Sequence, residues 1–186
     1  MIYPIAAYGS PILKKVAEEI DEDYQGLKQL IDDMFETMYE SAGVGLAAPQ
    51  ISLPIRLFVV DASPFKDEEP DLDGFKKVFI NPEIVEESGD EWKFNEGCLS
   101  IPGIREDITR QPDIIVNYLD ADFNEIEEKF SGLAARVIQH EFDHLEGILF
   151  TDRLGALKRQ LLKGKLSDIS KGIVDVDYKM KFPKFR

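Results

Sequence analysis

The sequence carries one cysteine, Cys98, and two histidines, His140 and His144, in 186 residues. A single thiol excludes an internal disulfide and points to a reducing compartment. No apolar run approaches the roughly 20 residues that span a bilayer, so no membrane helix is expected and no membrane partner. The opening Met1-Ile2-Tyr3-Pro4 lacks the basic and apolar regions of a secretory signal, which leads to the expectation of a cytoplasmic protein. Positive charge is also scarce. There are 22 Lys and Arg against 36 Asp and Glu, a net charge of −14, which argues against DNA or any whole-surface nucleic-acid partner. The basic residues concentrate at the end: Arg153 to Arg186 holds 10 Lys and Arg against 3 Asp and Glu. A basic tail on an acidic body can mark docking to an anionic partner, and it can equally be a solvated helix face.

What is present is the composition of a soluble globular chain, 44% hydrophobic and 31% charged. The length fits one domain over residues 1–186, and a monomer is expected. A helix is predicted from about Tyr24 to Glu40, where Leu27, Leu30, Ile31, Met34, Phe35 and Met38 form one apolar stripe. A shorter helix is predicted from Ser10-Pro11, and Gly43-Val44-Gly45 breaks the helical pattern. Arg56 to Asp61 reads as a strand, and Ala62 to Lys77 as an exposed acidic loop with no assigned chemistry. Short β-type runs follow at Val78–Asn81, Ile84–Glu87, Trp92–Asn95, Ile104–Thr109, Ile114–Leu119 and Ile126–Phe130. Asp120 to Asn124 reads as a hairpin turn. Helices are predicted at about Gly132–Leu145 and Gly155–Ile169, and Tyr178 to Phe182 alternates like a strand. Helices first, short strands in the middle and helices last make an α+β order rather than a parallel doubly wound sheet.

Both histidines fall in one segment, His140-Glu141-Phe142-Asp143-His144. Residues i and i+4 of a helix project from one face, so both imidazoles can bind one cation. Glu141 follows the first and can reach a metal-bound water without being a ligand. A catalytic site of this type has three protein ligands and an open position. A metzincin pattern would place a third histidine at 150, where Phe150 stands. A thermolysin-like site needs a later carboxylate, and Lys163-Gly164-Lys165 offers none. Glu146 and Asp152 lie on or just past the same helix, and Asp143 is better suited to bracing a ligand than to being one. Cys98, in Glu96-Gly97-Cys98-Leu99-Ser100, is the remaining strong candidate, because a thiolate suits zinc or ferrous iron. The alternative is a buried, inert cysteine. A zincin-like peptidase and a non-catalytic metal-binding domain of the same fold are the rival readings.

Three segments together resemble the peptide deformylases: Gly43-Val44-Gly45-Leu46-Ala47-Ala48-Pro49-Gln50, Glu96-Gly97-Cys98-Leu99-Ser100, and Gln139-His140-Glu141-Phe142-Asp143-His144-Leu145. The similarity runs from about Tyr8 to Leu154. It implies short antiparallel sheets packed around a central His-Glu-x-x-His helix, with a C-terminal helix. It implies hydrolysis of the formyl group from formyl-methionine at the N-termini of nascent peptides. The implied metal ligands are Cys98, His140 and His144, holding one divalent ion, ferrous iron in the cell. Such a donor set also accepts zinc, nickel or cobalt. Glu141 is the implied general base, with the Gln50 amide and the Leu99 N–H as oxyanion donors. Gly43, Val44 and Gly45 would meet the extended peptide. Val44, Leu133 and Val137 are pocket candidates for the methionine side chain, and each could equally be core. Arg105 would meet the peptide beyond the methionine, and Arg110 would pair with Glu96 and brace the Cys98 loop; both could equally be surface arginines on an edge strand. The family's link to the ribosome suits the basic segment 153–186, including Lys158, Arg159, Lys163 and Lys165.

Overall fold

The computed structural model describes residues 1–184. In chain order the elements are β1 (Ile5–Ala6), α1 (Leu27–Glu40), β2 (Gly45–Ala47), β3 (Leu57–Asp61), β4 (Lys76–Ser88), β5 (Trp92–Cys98), β6 (Ile101–Arg110), β7 (Asp113–Leu119), β8 (Glu125–Ser131), α2 (Gly132–Leu145), α3 (Ala156–Ser170) and β9 (Met180–Lys181). Five antiparallel strands form one sheet in the order β2-β3-β4-β7-β8. Strands β5 and β6 form a separate hairpin, and β1 pairs with β9 in parallel. The α+β expectation, with a central helix and a C-terminal helix, holds.

The sheet is covered on both faces, and β3 shows why its sequence is apolar throughout. Alternate residues of a strand point to opposite faces. Leu57 and Val59 pack with Leu30, Met34 and Met38 of α1. Phe58 and Val60 pack with Ala134, Ala135 and Ile138 of α2. Full burial of each large side chain is worth about 1.5–3 kcal/mol, so the helix stripes hold by area rather than by capping. Ala134 and Ala135 have no bulk beyond Cβ, which lets α2 lie close to the sheet. Phe58, Phe79 and Tyr118 fill the space beneath it, with ring centroids 4.6 and 4.5 Å apart along the row. A third core joins the β5–β6 hairpin to the chain's two ends, through Leu13, Ile101, Ile108, Phe150 and Ile169.

Four expectations need correction. The Ser10-Pro11 segment is a 3-10 turn, Pro11–Lys14, too short for an α-helix. The runs at 78–81 and 84–87 are one strand, β4, with a register shift between Ile80 and Glu83. Pro82 has no N–H for the ladder, and Asn81 adopts a φ of 48° while its side chain bonds the Ile20 backbone at 3.0 and 2.7 Å. Residues 62–77 are not a plain exposed loop: they contain 3-10 turns at Ser63–Phe65 and Pro70–Leu72, bury Ala62 and Leu72, and enter β4 at Lys76. Of the alternating Tyr178–Phe182 run, Met180 and Lys181 alone form a strand. Phe185 and Arg186, the end of the basic segment, lie outside the described residues.

Candidate metal centre

Helix α2 begins without a side-chain cap from its own N-cap residue, Ser131. Glu69, from the acidic 62–77 segment, takes that place: its carboxylate accepts the Leu133 N–H at 3.0 and 3.2 Å. A carboxylate there satisfies an orphan donor and complements the positive end of the helix dipole. A Cβ on Gly132 would lie 2.4 Å from Glu69 Oε1, so this approach requires glycine. One turn further the inward face of α2 becomes polar. Arg136, Gln139, His140, Glu141, Asp143 and His144 are all buried or nearly so.

The ligand atoms of Cys98, His140 and His144 lie within 4.8 Å of one another. Cys98 Sγ is 3.3 Å from His144 Nε2, and the two imidazole centroids are 5.1 Å apart. Bonds of about 2.0–2.3 Å at a tetrahedral ion set its donors about 3.5 Å apart, so this spacing suits one cation. His140 Nδ1 faces Glu96 Oε2 at 3.0 Å, which turns Nε2 toward the thiol. The residues fit a metal in a second respect. Glu141 follows the first of these histidines in sequence, and its Oε2 is buried with no hydrogen-bond partner among the described residues. Unpaired buried polar atoms are costly, and a water held by a metal at this cluster would offer Glu141 Oε2 a partner.

Charge at the site is set from outside the ligands. Arg110 donates to Glu96 through Nε at 2.7 Å and Nη2 at 3.0 Å, and Arg136 Nη1 adds a third bond at 3.1 Å. Arg110 also reaches Asp143 Oδ2 at 2.9 Å, and Arg153 holds Asp143 from the other side. Burial would push the Glu96 carboxyl up, but the bonds from His140 and Arg110 hold it well below the usual range. Burial opposes a charge on His140, yet Cys98 and Glu96 raise its pKa well above the ordinary value, so the position attracts positive charge. Burial and the neighbouring His140 push His144 well down, keeping it the neutral donor a metal needs. Burial pushes Glu141 up to about 7, and a cation beside it would draw it back toward carboxylate.

A cleft of about 740 Å³ opens onto this cluster. Gly43, Val44, Gly45, Gln50, Cys98, Leu99, Arg105, Val137, His140 and Glu141 line it; His144 sits fully behind them. Gln50 is held by the Ala47 N–H, which donates to its Oε1 at 2.9 Å. That aims its Nε2 at Cys98 Sγ, 3.6 Å away, and at Ser100 Oγ, 3.4 Å away. Arg105 is exposed at the rim, bonded to Asn95 through Nε at 3.0 Å and Nη2 at 2.6 Å. Leu133 does not line the cleft; it is core beneath the start of α2. Phe150, where a metzincin would need histidine, is buried and stacks on His140 at 6.2 Å.

Sequence reasoning missed several cleft residues. Phe65 comes from the acidic segment, Phe94 from β5 and Arg136 from α2. Asp175 to Tyr178 come from beyond α3, and the Tyr178 hydroxyl donates to the Leu99 carbonyl at 2.7 Å. Burial, with the Cys98 charge adding to it, pushes Tyr178 up to about 12, so it stays a donor. The alternation around Tyr178 marked a strand but carried no sign of where it would dock.

The polypeptide deformylase family model matches residues 2–160. A peptide deformylase of Christiangramia forsetii is 58% identical over 191 residues, covering 98% of this chain and 97% of the relative. One from Flavobacterium psychrophilum is 54% identical and covers 100% of both chains. Among solved structures, a peptide deformylase from Legionella pneumophila superposes with a TM-score of 0.80 at 39% identity, covering 93% of this chain and 98% of that one.

Proposed function

The chain belongs to the peptide deformylase family, and we propose from that premise that it hydrolyses the N-terminal formyl group of formyl-methionine on nascent polypeptides, releasing formate and a free α-amine. The observation that carries the reading is the convergence of Cys98, His140 and His144 within 4.8 Å, open to a cleft and backed by Glu141. The enzymes of this family are metal-dependent. When bound, the divalent ion supplies the Lewis acidity that makes water a usable nucleophile near neutral pH. We take ferrous iron as the cellular metal, with zinc, nickel and cobalt accepted by the same donors.

Glu141 accepts the proton of the attacking water and then delivers it to the departing amine, as general base turned general acid. As the C–N bond breaks, the amine leaves protonated and the formyl carbon departs as formate. The Gln50 Nε2–H and the Leu99 N–H donate to the oxyanion formed at the formyl oxygen. One such donor is worth about 3 kcal/mol in the transition state. Gly43, Val44 and Gly45 take an extended peptide by main-chain hydrogen bonds, as bare backbone allows. Val44 and Val137 flank the methionine side chain, and Arg105 stands where residues after the methionine leave the cleft.

The protein works as a single-domain cytoplasmic monomer in this proposal. Its basic segment 153–186 docks to the polyanionic ribosome near emerging N-termini. Among the described residues no helix is long and apolar enough to cross a membrane. Helix α3 exposes Lys158, Arg159 and Lys163, and it also exposes Leu157 and Leu161. Co-sedimentation with ribosomes that weakens with salt and disappears with the tail is the expected result.

The deciding experiment is anaerobic purification with metal analysis and a formate-release assay on the same sample. Formyl-Met peptides are compared with acetyl-Met and internal peptides. One metal per chain and turnover confined to the formyl substrates is the expected outcome. Cleavage of internal peptides instead would place the protein among the zincin-like peptidases.

A further inference from the structure

The family model ends at residue 160, but the cleft does not. Asp175, Val176, Asp177 and Tyr178 share its lining with Cys98 and Glu141. Leu99 and Ser100 are the turn between β5 and β6, directly after the Cys98 thiol, where the pairing register shifts between Gly97 and Cys98. Both carbonyls of that turn are held from outside the hairpin. Tyr178 donates its hydroxyl to Leu99 O at 2.7 Å, and the Tyr8 N–H donates to Ser100 O at 2.8 Å. The segments that supply these donors are tied to each other through β1 and β9.

We propose that Tyr178 is a positioning residue, which pins the Leu99–Ser100 peptide and thereby orients the Leu99 N–H toward the reacting formyl oxygen. This rests on reading Leu99 as an oxyanion donor. The physical reason lies in the turn. An irregular two-residue turn lacks the ladder bonds that hold a strand. The Cys98–Leu99 peptide, which carries the Leu99 N–H, hinges at the Leu99 Cα on the Leu99–Ser100 peptide. With both ends of the turn paired, a rotation of one plane is compensated by the other. Cys98 is anchored on one side by the ligand cluster, so a bond to the Leu99 carbonyl on the other side removes the main remaining freedom. An oxyanion donor must be in place before the reaction to be worth its full effect. The C-terminal segment therefore contributes to turnover without touching the substrate's reacting atoms.

Tyr178→Phe keeps the ring and its packing and removes only the hydroxyl. Two measurements are made on it: kcat, KM and metal content with a formyl-Met peptide, and amide hydrogen exchange at Leu99 by NMR in the metal-free and zinc-loaded protein. The expected result is a kcat lower by about threefold to tenfold, the loss of one hydrogen bond, with KM and metal content unchanged and exchange at Leu99 faster. Unchanged exchange at Leu99 overturns the positioning role whatever the activity. Faster exchange with unchanged kcat shows that Leu99 is not the oxyanion donor and overturns the proposal at that step. A loss that tracks missing metal, or appears in KM alone, also overturns it. Wild-type protein that releases no formate would instead overturn the deformylase reading, while the exchange data still report on Tyr178.

Discussion

Gly45 and Glu141 approach so closely that a side chain on the glycine would push the carboxylate aside: a Cβ on Gly45 would lie 2.5 Å from Glu141 Oε1 and 2.8 Å from its Cδ. The glycine in β2 thus fixes where the carboxylate on α2 can rest. Gly45→Ala is expected to displace Glu141 and lower kcat/KM by about a hundredfold, because misplacing a catalytic group by about 1 Å carries that penalty. The three atoms nearest that Cβ all belong to Glu141 rather than to a metal ligand, so metal content should stay near one per chain. Turnover within threefold of wild type would show that the carboxylate does not depend on this contact.

Removing the carboxylate tests its role directly. Glu141→Ala should keep the metal and lose about 10²–10⁴-fold in kcat. The metal-free variant should melt at the same temperature as wild type or higher, because burial already works against the charged form of Glu141 and Oε2 lacks a partner. Calorimetry of both proteins without metal checks this second half, and a clear drop in melting temperature would contradict it.

Arg110 joins Glu96 to Asp143 in a fully buried network that orients His140. Arg110→Ala leaves Glu96 to Arg136 and His140, and Asp143 to Arg153, each short of one buried partner. Breaking a buried pair from one side costs about 3–5 kcal/mol. Loss of a bracing group behind a ligand weakens metal affinity by about 10–100-fold. Denaturant unfolding and a competitive chelator titration measure the two effects. If both stay at wild-type values, the arginine does not brace the Cys98 strand.

Glu69 gives a contrasting case. Glu69→Ala removes the cap of α2 and should cost about 0.5–2 kcal/mol in stability. Turnover should change less than twofold, because Ala134, Ala135 and Ile138 still seat the helix on the sheet. A large loss of kcat with normal stability would give the acidic segment a direct part in the reaction.

Much of the site was legible because its chemistry is local. His140, Glu141 and His144 share a helix face by spacing alone, and the absence of a third histidine at Phe150 directed attention to Cys98. The sheet was legible in pieces. β3 announced itself by an unbroken apolar run, whereas β4 read as two strands because the Asn81-Pro82 bulge interrupts its pattern. Leu133 was left between pocket and core for a related reason: periodicity puts it on the inward face of α2 but does not say whether that face meets core or cleft at a given turn.

By itself, then, the sequence singled out the candidate donor set, the candidate acid–base residue and the helix that carries three of these four. These depend on residue type and on a spacing of four along one helix. Tertiary structure alone decided what surrounds them. The Glu96 bond to His140, the Gly45 contact with Glu141, the Glu69 cap and the Tyr178 bond to Leu99 each join residues tens of positions apart. Such contacts arise from how sheet, hairpin and chain ends pack together, and no local pattern encodes them.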